Sequence, residues 1–229
     1  MEIFVVYGII LVAIVLLPKY IRFRGSDYRE SSGNGFLKTV SDRGNYGEFL
    51  TYYYLEKLEG TYRLMTNLYI PKADGSTTEI DLIMITKTGI YVIESKNYSG
   101  WIFGDEKSRN WTQTLQNKQK NRFFNPVWQN KGHISALKEV LGEDEKLFLS
   151  YIVFSERCTL KKVNVTSPMV KVIKRNSLKR MISADIENRP DVLSDHQIDK
   201  IYYGLQKYVL ADEKTRKAHI EGIILKKES

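Results

Sequence analysis

The longest apolar run in the chain lies at its amino terminus. Residues 3–17 carry no charge and no polar face, and the run extends to Ile21 if the Lys19 ammonium reaches the membrane interface. Glu2 precedes the run, basic residues follow it, and no small-residue cleavage site lies between. This order predicts an uncleaved single-pass anchor in the cell membrane, with the amino terminus outside and the domain cytoplasmic. The alternative is a buried helix that begins the domain.

The remaining pattern divides the chain into further segments. After an anchor over residues 1–23, residues 24–41 are rich in glycine and serine and predict a flexible tether. Residues 42–155 carry regular helix and strand signals, which predict a folded core. Residues 156–229 predict a basic carboxyl-terminal extension with a strand and helices.

The first predicted helix of the core follows Asp42, a residue suited to cap it. Leu50, Tyr54 and Leu58 recur every four residues, and Gly60 is a natural stop. The remaining pattern predicts strands at 62–70, 79–86, 89–96, 101–104, 110–115, 147–154 and 170–174, and helices at 125–141, 177–182 and 195–210. This order predicts an α/β fold with a mixed sheet flanked by helices.

Composition narrows the class of protein. The chain has 229 residues, of which 42% are hydrophobic and 27% charged, which excludes a wholly disordered or fibrous protein. A single cysteine excludes an intrachain disulfide framework, and three widely separated histidines argue against a zinc site. The formal net charge of +8 favours a polyanionic partner.

Two acidic residues lie inside apolar strands, where an ionised carboxylate is costly unless it is paired or bound to a metal. If Lys87 and Thr88 form a two-residue loop, Asp81 lies opposite Glu94 in the hairpin. Two carboxylates so close repel each other unless a divalent cation lies between them. Oxygen ligands with room for water suit Mg²⁺ or Mn²⁺, and Lys96 follows Glu94 by two residues.

Other interpretations of the same hairpin stay open. Gly89 is suited to the left-handed position of a three-residue loop with a bulge, which would shift the pairing by one residue. In a second alternative, the carboxylates serve structure, by pairing with Lys96 or capping backbone amides. The spacing of Asp81, Glu94 and Lys96 does not by itself decide between these alternatives.

Three ordered blocks of sequence resemble the nuclease-related domain (NERD) family. They are GNYGEFLTYYYLEKL, EIDLIMITKTGIYVIESKNYSGWIFG and NPVWQNKGHISALK, within about residues 42–141. Domains of this family resemble the PD-(D/E)xK nuclease superfamily. The resemblance implies a restriction-endonuclease-like αβββαβ core and Mg²⁺-dependent hydrolysis of phosphodiester bonds in DNA or RNA.

The resemblance also implies roles for individual residues. Asp81 and Glu94 would bind the metal, Lys96 would be the catalytic lysine, Glu48 an accessory acid on the first helix, and Gln129 a polar residue on the second. From the residues alone, Glu48 is as readily a first-turn acid that the helix dipole favours, and Gln129 an exposed position. His133 follows Gln129 by one turn, but a lone helical histidine is more often structural, and it is not among the predicted site residues.

Basic residues cluster in two further places. Residues 117–131 interleave lysine and arginine with Phe123, Phe124 and Trp128, and residues 161–180 contain seven basic residues and no acid. Such segments suit nucleic acid or the anionic head groups of a membrane. The sequence thus predicts a membrane-anchored Mg²⁺-dependent nuclease. The alternative is a catalytically silent module, on the same fold, that binds nucleic acid or acts as a scaffold at the membrane.

Overall fold

A computed structural model describes residues 2–209 and residue 219, which form a mixed α/β structure with two sheets flanked by helices. The helices are α1 (Glu2–Arg24), α2 (Tyr28–Ser32), α3 (Phe36–Ser41), α4 (Arg43–Leu55), α5 (Pro126–Leu141), α6 (Leu178–Asn188) and α7 (Asp195–Leu205). The strands are β1 (Tyr62–Pro71), β2 (Thr77–Thr86), β3 (Gly89–Lys96), β4 (Gly100–Asp105), β5 (Asn110–Thr114), β6 (Lys120–Phe124), β7 (Phe148–Phe154), β8 (Cys158–Asn164) and β9 (Val170–Lys174).

The larger sheet has the order β1-β2-β3-β7-β9. Its first three strands are antiparallel, whereas β7 and β9 run parallel to β3. Helices α4 and α6 supply buried side chains to one core, and α5 and α7 supply them to another. Because β2 and β3 contribute buried apolar side chains to both cores, their sequences are apolar on both faces. The predicted mixed sheet flanked by helices is confirmed.

The hairpin of β2 and β3 has the predicted two-residue loop. Thr86 pairs with Gly89, and the register continues to the pair Leu82 and Ile93. The ladder ends there, one step before Asp81 and Glu94 would pair in the same register. The alternative with a three-residue loop is therefore wrong for this hairpin.

The smaller sheet has the order β6-β5-β4-β8. Strand β3 leads into β4 and β7 leads into β8, and each of the pairs β3–β7 and β4–β8 is parallel. Trp111 joins the two sheets, since its ring stacks on that of Phe154 with centroids 6.2 Å apart. Strands β6 and β8 were not predicted from the sequence, because charged residues at exposed positions obscure their strand pattern.

The amino-terminal helix contacts the domain through its last turns. The ring of Tyr20 lies 5.2 Å from that of Phe36, and Phe23 is buried against Phe49. Among residues 2–209 and 219, no helix is long and apolar enough to cross a membrane. The structure thus does not support the predicted anchor, and the predicted location at the cell membrane stays a prediction.

Residues 24–41 are not an unstructured tether, because they contain α2 and α3 and pack against α4. Tyr28 is fully buried, with its ring 5.4 Å from that of Phe49. The Ser32 hydroxyl donates to the backbone carbonyl of Tyr28 at 2.6 Å. The glycine and serine content predicted flexibility, but two aromatic residues, Tyr28 and Phe36, are enough to attach this polar segment to the core.

The carboxyl-terminal extension completes the larger sheet. Strand β9 forms its edge, and the side chains of Leu178 and Ile201 are buried on its two sides. Helix α7 ends at Leu205 and is followed by a 3₁₀ turn, Gln206–Tyr208. Leu210, the last residue of the predicted helix, lies outside the described residues.

Gly104 tests the packing between the two sheets. A β-carbon at this position would overlap the ring of Trp111. We expect Gly104→Ala to lower the free energy of unfolding by about 1–3 kcal/mol, since the buried indole has to shift. Urea unfolding measures this change.

The matched control is Gly132→Ala in the middle of α5, where a β-carbon meets no atom within 4 Å. This substitution should raise stability by about 0.5–1 kcal/mol, because alanine favours the helix. Equal effects of the two substitutions would contradict this packing of Trp111.

Candidate active site

The predicted site residues meet at one end of the larger sheet, where β3 finishes between the first turns of α4 and α5. Two side-chain caps begin these helices. The Asp42 carboxylate accepts a hydrogen bond from the backbone N–H of Asn45, and the Asn125 side chain accepts one from Val127. Helix α4 has no acidic residue in its first turn, so the interpretation of Glu48 as a first-turn acid is wrong: Glu48 lies six residues after Asp42, in the second turn. Gln129 lies in the first turn of α5, four residues after Asn125.

The regular backbone pairing of β2 with its two neighbouring strands is interrupted at Asp81. Its ladder with β3 is continuous as far as Leu82, and the Asp81 carboxylate then accepts a hydrogen bond from the backbone N–H of Ser95 at 2.7 Å. On the other side, the pairing with β1 skips Asn67, which has a φ of 53°. A positive φ is uncommon outside glycine and often marks a functional position. The carboxylate thus takes the place of a backbone acceptor beside Glu94.

Lys96 and Glu94 form a buried ion pair. The Nζ atom of Lys96 lies 2.6 Å from Oε1 of Glu94 and donates to Oε1 of Gln129 at 3.0 Å. The side chain of Glu94 is 2% exposed and that of Lys96 17% exposed. Gln129 therefore holds the lysine in place from α5.

His133 contacts the second oxygen of Glu94. Its Nε2 atom lies 3.0 Å from Oε2 of Glu94, and its Nδ1 atom lies 2.8 Å from the Thr78 hydroxyl. His133 is 4% exposed. The carboxylate of Glu94 is thus held on both oxygens, by Lys96 from its own strand and by His133 from α5.

The pKa values of the three site carboxyls shift in opposite directions, up for Glu48 and Asp81 and down for Glu94. Burial, with repulsion from Glu79 and Glu94, raises the pKa of Glu48 to about 8. Burial and repulsion from Glu94 and Glu48 raise the pKa of Asp81 well above its ordinary value. Burial opposes the ionisation of Glu94 too, but Lys96 and His133 outweigh it and lower the pKa of Glu94 to about 2.

Lys96 stays charged, because its attraction to Glu94 and Asp81 outweighs its burial and raises its pKa. One ammonium group therefore faces three carboxyls, and it only partly offsets the repulsion felt by Asp81 and Glu48. Such an imbalance of buried groups is typical of functional sites.

The donor chemistry of the site fits a hydrated Mg²⁺ or Mn²⁺ ion. Asp81 and Glu94 offer carboxylate oxygens on adjacent strands, and Mg²⁺ is commonly bound through one or two carboxylates with water at its other positions. Within residues 2–209 and 219, no group of three or more histidine, cysteine, aspartate or glutamate side chains is arranged to hold a metal. The site therefore fits an ion that is held by two protein carboxylates and has water at its other coordination positions.

A second set of contacts ties the end of β3 to the carboxyl-terminal part of the chain. The Thr51 hydroxyl on α4 lies 3.0 Å from that of Ser95, and it accepts a hydrogen bond from Nε of Arg175. Arg175 is fully buried and pairs with Glu156 at 3.3 Å. The extension therefore contributes to the position of Ser95, the residue whose N–H binds Asp81.

The structure brings Glu48, Asp81, Glu94, Lys96 and Gln129 together, and their catalytic and metal-binding roles stay predictions. His133, which the sequence analysis left out, belongs to the same cluster. Its spacing of one helical turn from Gln129 was the available signal. No sequence pattern indicated the contact of Thr78 with His133 or the hydrogen bond from Arg175 to Thr51, because these contacts join segments far apart in the chain.

The fold and the site together define a mixed α/β protein with a cluster of carboxyls and one lysine at the end of a central strand. Residues 43–155 match the model of the family described as the nuclease-related domain, NERD. The chain belongs to this family. An uncharacterized protein of Bacillus anthracis is 37% identical over 181 residues, which cover 78% of this chain and 82% of that protein. No solved structure matches the chain.

The raised pKa of Glu48 predicts how stability depends on pH. The folded chain keeps this proton up to about pH 8, whereas the unfolded chain releases it near 4.5. The unfolded state therefore binds fewer protons in this window, and stability should fall as the pH rises from about 4.5 to about 8. Glu48→Gln should remove roughly 1–3 kcal/mol of that fall, measured by urea unfolding across the window.

Glu143→Gln is the control for this prediction, because Glu143 is exposed in the loop after α5. It should keep the wild-type pH dependence. An unchanged pH dependence in Glu48→Gln would contradict the assignment of a protonated Glu48.

Proposed function

We propose that this protein hydrolyses phosphodiester bonds in DNA or RNA with the help of Mg²⁺ or Mn²⁺. The observation that carries the proposal is the set of carboxyls at the end of β3, with Glu94 buried and Asp81 and Glu48 half-buried, whose repulsion Lys96 does not balance. A divalent cation would relieve the repulsion between Asp81 and Glu94 in a way that the protein's own cations do not. Membership of a nuclease-related family supports the same conclusion.

Each residue of the site has a chemical task in this proposal. Asp81 and Glu94 would hold the cation, which when bound activates a water and withdraws charge from the phosphate. Lys96 is fixed by Glu94 and Gln129, so that its ammonium can orient the attacking water and stabilise charge that develops on the phosphate.

Glu48 and His133 complete this assignment. Glu48, with a pKa of about 8, is poised to exchange a proton near neutral pH. His133 positions the carboxylate of Glu94.

One observation favours a second candidate function. Lys96 and His133 already contact both oxygens of Glu94, as expected of a structural ion-pair network. A module that binds nucleic acid or acts as a scaffold without turnover would keep both contacts to Glu94, from Lys96 and from His133. A bound cation would instead require Glu94 to exchange one of these partners, so measurements of turnover separate the two functions.

Asp81→Asn tests the proposal. The substitution removes one charged ligand and keeps a side-chain oxygen that can accept from Ser95 N–H. We expect Mg²⁺- or Mn²⁺-dependent cleavage of single- and double-stranded DNA or RNA to fall by at least about 100-fold. Binding of the same nucleic acids in EDTA should change little, since it depends on lysine and arginine contacts.

The control is Asp191→Asn, which changes an exposed acid in the loop between α6 and α7. It should cleave as the wild type does. Metal-dependent cleavage that survives in Asp81→Asn, or a wild type that cleaves none of the four substrates, would contradict the proposed enzyme. The latter result would favour the binding or scaffolding module.

Lys96→Ala separates the lysine from the metal ligands. Because its ammonium acts on the water or the phosphate, we expect turnover at saturating metal to fall about 10²–10³-fold. The metal concentration that gives half-maximal activity should shift much less. Metal titrations of the cleavage rate measure both quantities, and a large shift in the half-maximal concentration with little loss of turnover would contradict this role.

A further inference from the structure

We propose that the outer face of the smaller sheet binds single-stranded nucleic acid and guides it toward the site at the end of β3. The inference rests on the proposed function, because it names the form of nucleic acid that the site receives. Three properties of this face carry it: exposed aromatic rings, basic side chains in line with them, and a short connection to Lys96.

The buried side chains of the sheet define its inner face. Ile102 and Trp111 are buried in one cluster with Phe154, and Phe123 packs on the ring of Trp111. Side chains alternate along a strand, so the neighbouring positions lie on the opposite, outer face. In β4, β5 and β6 these outer positions include Trp101, Phe103, Thr112, Thr114, Lys120 and Arg122.

The pairing of the strands arranges these residues in rows across the sheet. In the first row, Thr114 lies between Trp101 and Lys120, and Thr159 of β8 lies on the other side of Trp101. In the second row, Thr112 lies between Phe103 and Arg122. Each row thus places an aromatic ring on β4 and a cation on β6, joined by a small polar residue.

Trp101 is the most prominent group of this face, with 51% of its surface exposed. The ammonium of Lys161 lies 5.6 Å from the centre of its ring. An exposed indole beside a cation is suited to stack on a base while the cation contacts the adjoining phosphate. Bases in a duplex are already stacked on one another, so this recognition requires a single strand.

The charge of the face complements a polyanion. Lys120, Arg122, Lys161 and Lys162 are all exposed, and none of the six outer positions named for β4, β5 and β6 is acidic. Asp105 lies at the far end of β4, where Asn164 and the backbone of Lys107 already bind its carboxylate. The net charge of +8 for the whole chain acts in the same direction.

The chain connects this face directly to the candidate active site. Trp101 follows Lys96 by five residues, so their α-carbons are at most about 18 Å apart. The first row of the sheet is also the row nearest the end of β3, because β4 begins at Gly100. A single strand of nucleic acid that stacks on Trp101 therefore lies within reach of Glu94 and Lys96.

Binding of a labelled oligonucleotide tests the proposal. The full chain is titrated in EDTA, so that no cleavage occurs, against one sequence as a single strand and as a duplex, and fluorescence anisotropy is recorded. We expect the wild type to bind the single strand more tightly, Trp101→Ala to weaken that binding about tenfold, and Trp101→Phe to restore most of it. The double change Lys120→Gln and Arg122→Gln should reduce the salt slope by about 1.4.

Tyr203→Ala is the matched control, because Tyr203 is an aromatic residue of α7 that is also highly exposed. It should bind as the wild type does, and all variants should keep the wild-type melting temperature. The proposal is overturned if Trp101→Ala binds the single strand within twofold of wild type, or if wild type binds the duplex equally well. If the wild type cleaves no nucleic acid but its binding of the single strand still depends on Trp101, the proposed enzyme is rejected and the proposed binding surface is retained.

Discussion

The buried pairing of Glu94 with Lys96 is the interaction on which the rest of the site depends. Glu94 is almost fully buried and ionised, so it needs the ammonium of Lys96 and the contact from His133 to stay charged. That requirement commits the ammonium of Lys96 to one carboxylate. Asp81 and Glu48 are left beside it without a full counter-charge, and burial together with this uncompensated repulsion raises their pKa values. In the function proposed here, a bound cation or a proton would relieve this imbalance.

The architecture explains how such charges are kept close together. A short loop sets the register of β2 and β3, and the apolar cores on both sides of the hairpin hold it against slippage. Helix α5 contributes Gln129 and His133, and α4 contributes Glu48 and Thr51. The carboxyl-terminal segment completes the same structure, because β9 is the edge of the sheet and Arg175 supports Thr51. Substitutions in residues outside the matched family region, Arg175 above all, are therefore able to affect the site.

Local patterns in the sequence predicted most of the fold and brought Asp81, Glu94 and Lys96 together, whereas Glu48 and Gln129 entered the candidate site only through the family resemblance. The caps of α4 and α5, the apolar strands and the loop at Lys87 are local features, and a two-residue loop places Asp81 opposite Glu94. Contacts between distant segments were not predictable in the same way, as the hydrogen bond from Arg175 to Thr51 illustrates. Strand β8 was missed because Lys161 and Lys162 obscure its alternation, and residues 24–41 were misjudged because their composition outweighed Tyr28 and Phe36. In both places a few apolar side chains determined the structure within a polar segment.

Direct measurement of metal binding tests the central claim, which is that the carboxyls at the end of β3 need a divalent cation. Mn²⁺ bound to the purified full chain is counted by electron paramagnetic resonance, with wild type, Asp81→Asn and the exposed control Asp191→Asn titrated in parallel. Saturable binding is expected in the wild type and in Asp191→Asn, and its loss is expected in Asp81→Asn. Metal-free Asp81→Asn should also melt at the wild-type temperature or higher, since one repelling charge is gone. No saturable Mn²⁺ binding by the wild type, together with a lower melting temperature for Asp81→Asn, would contradict the account.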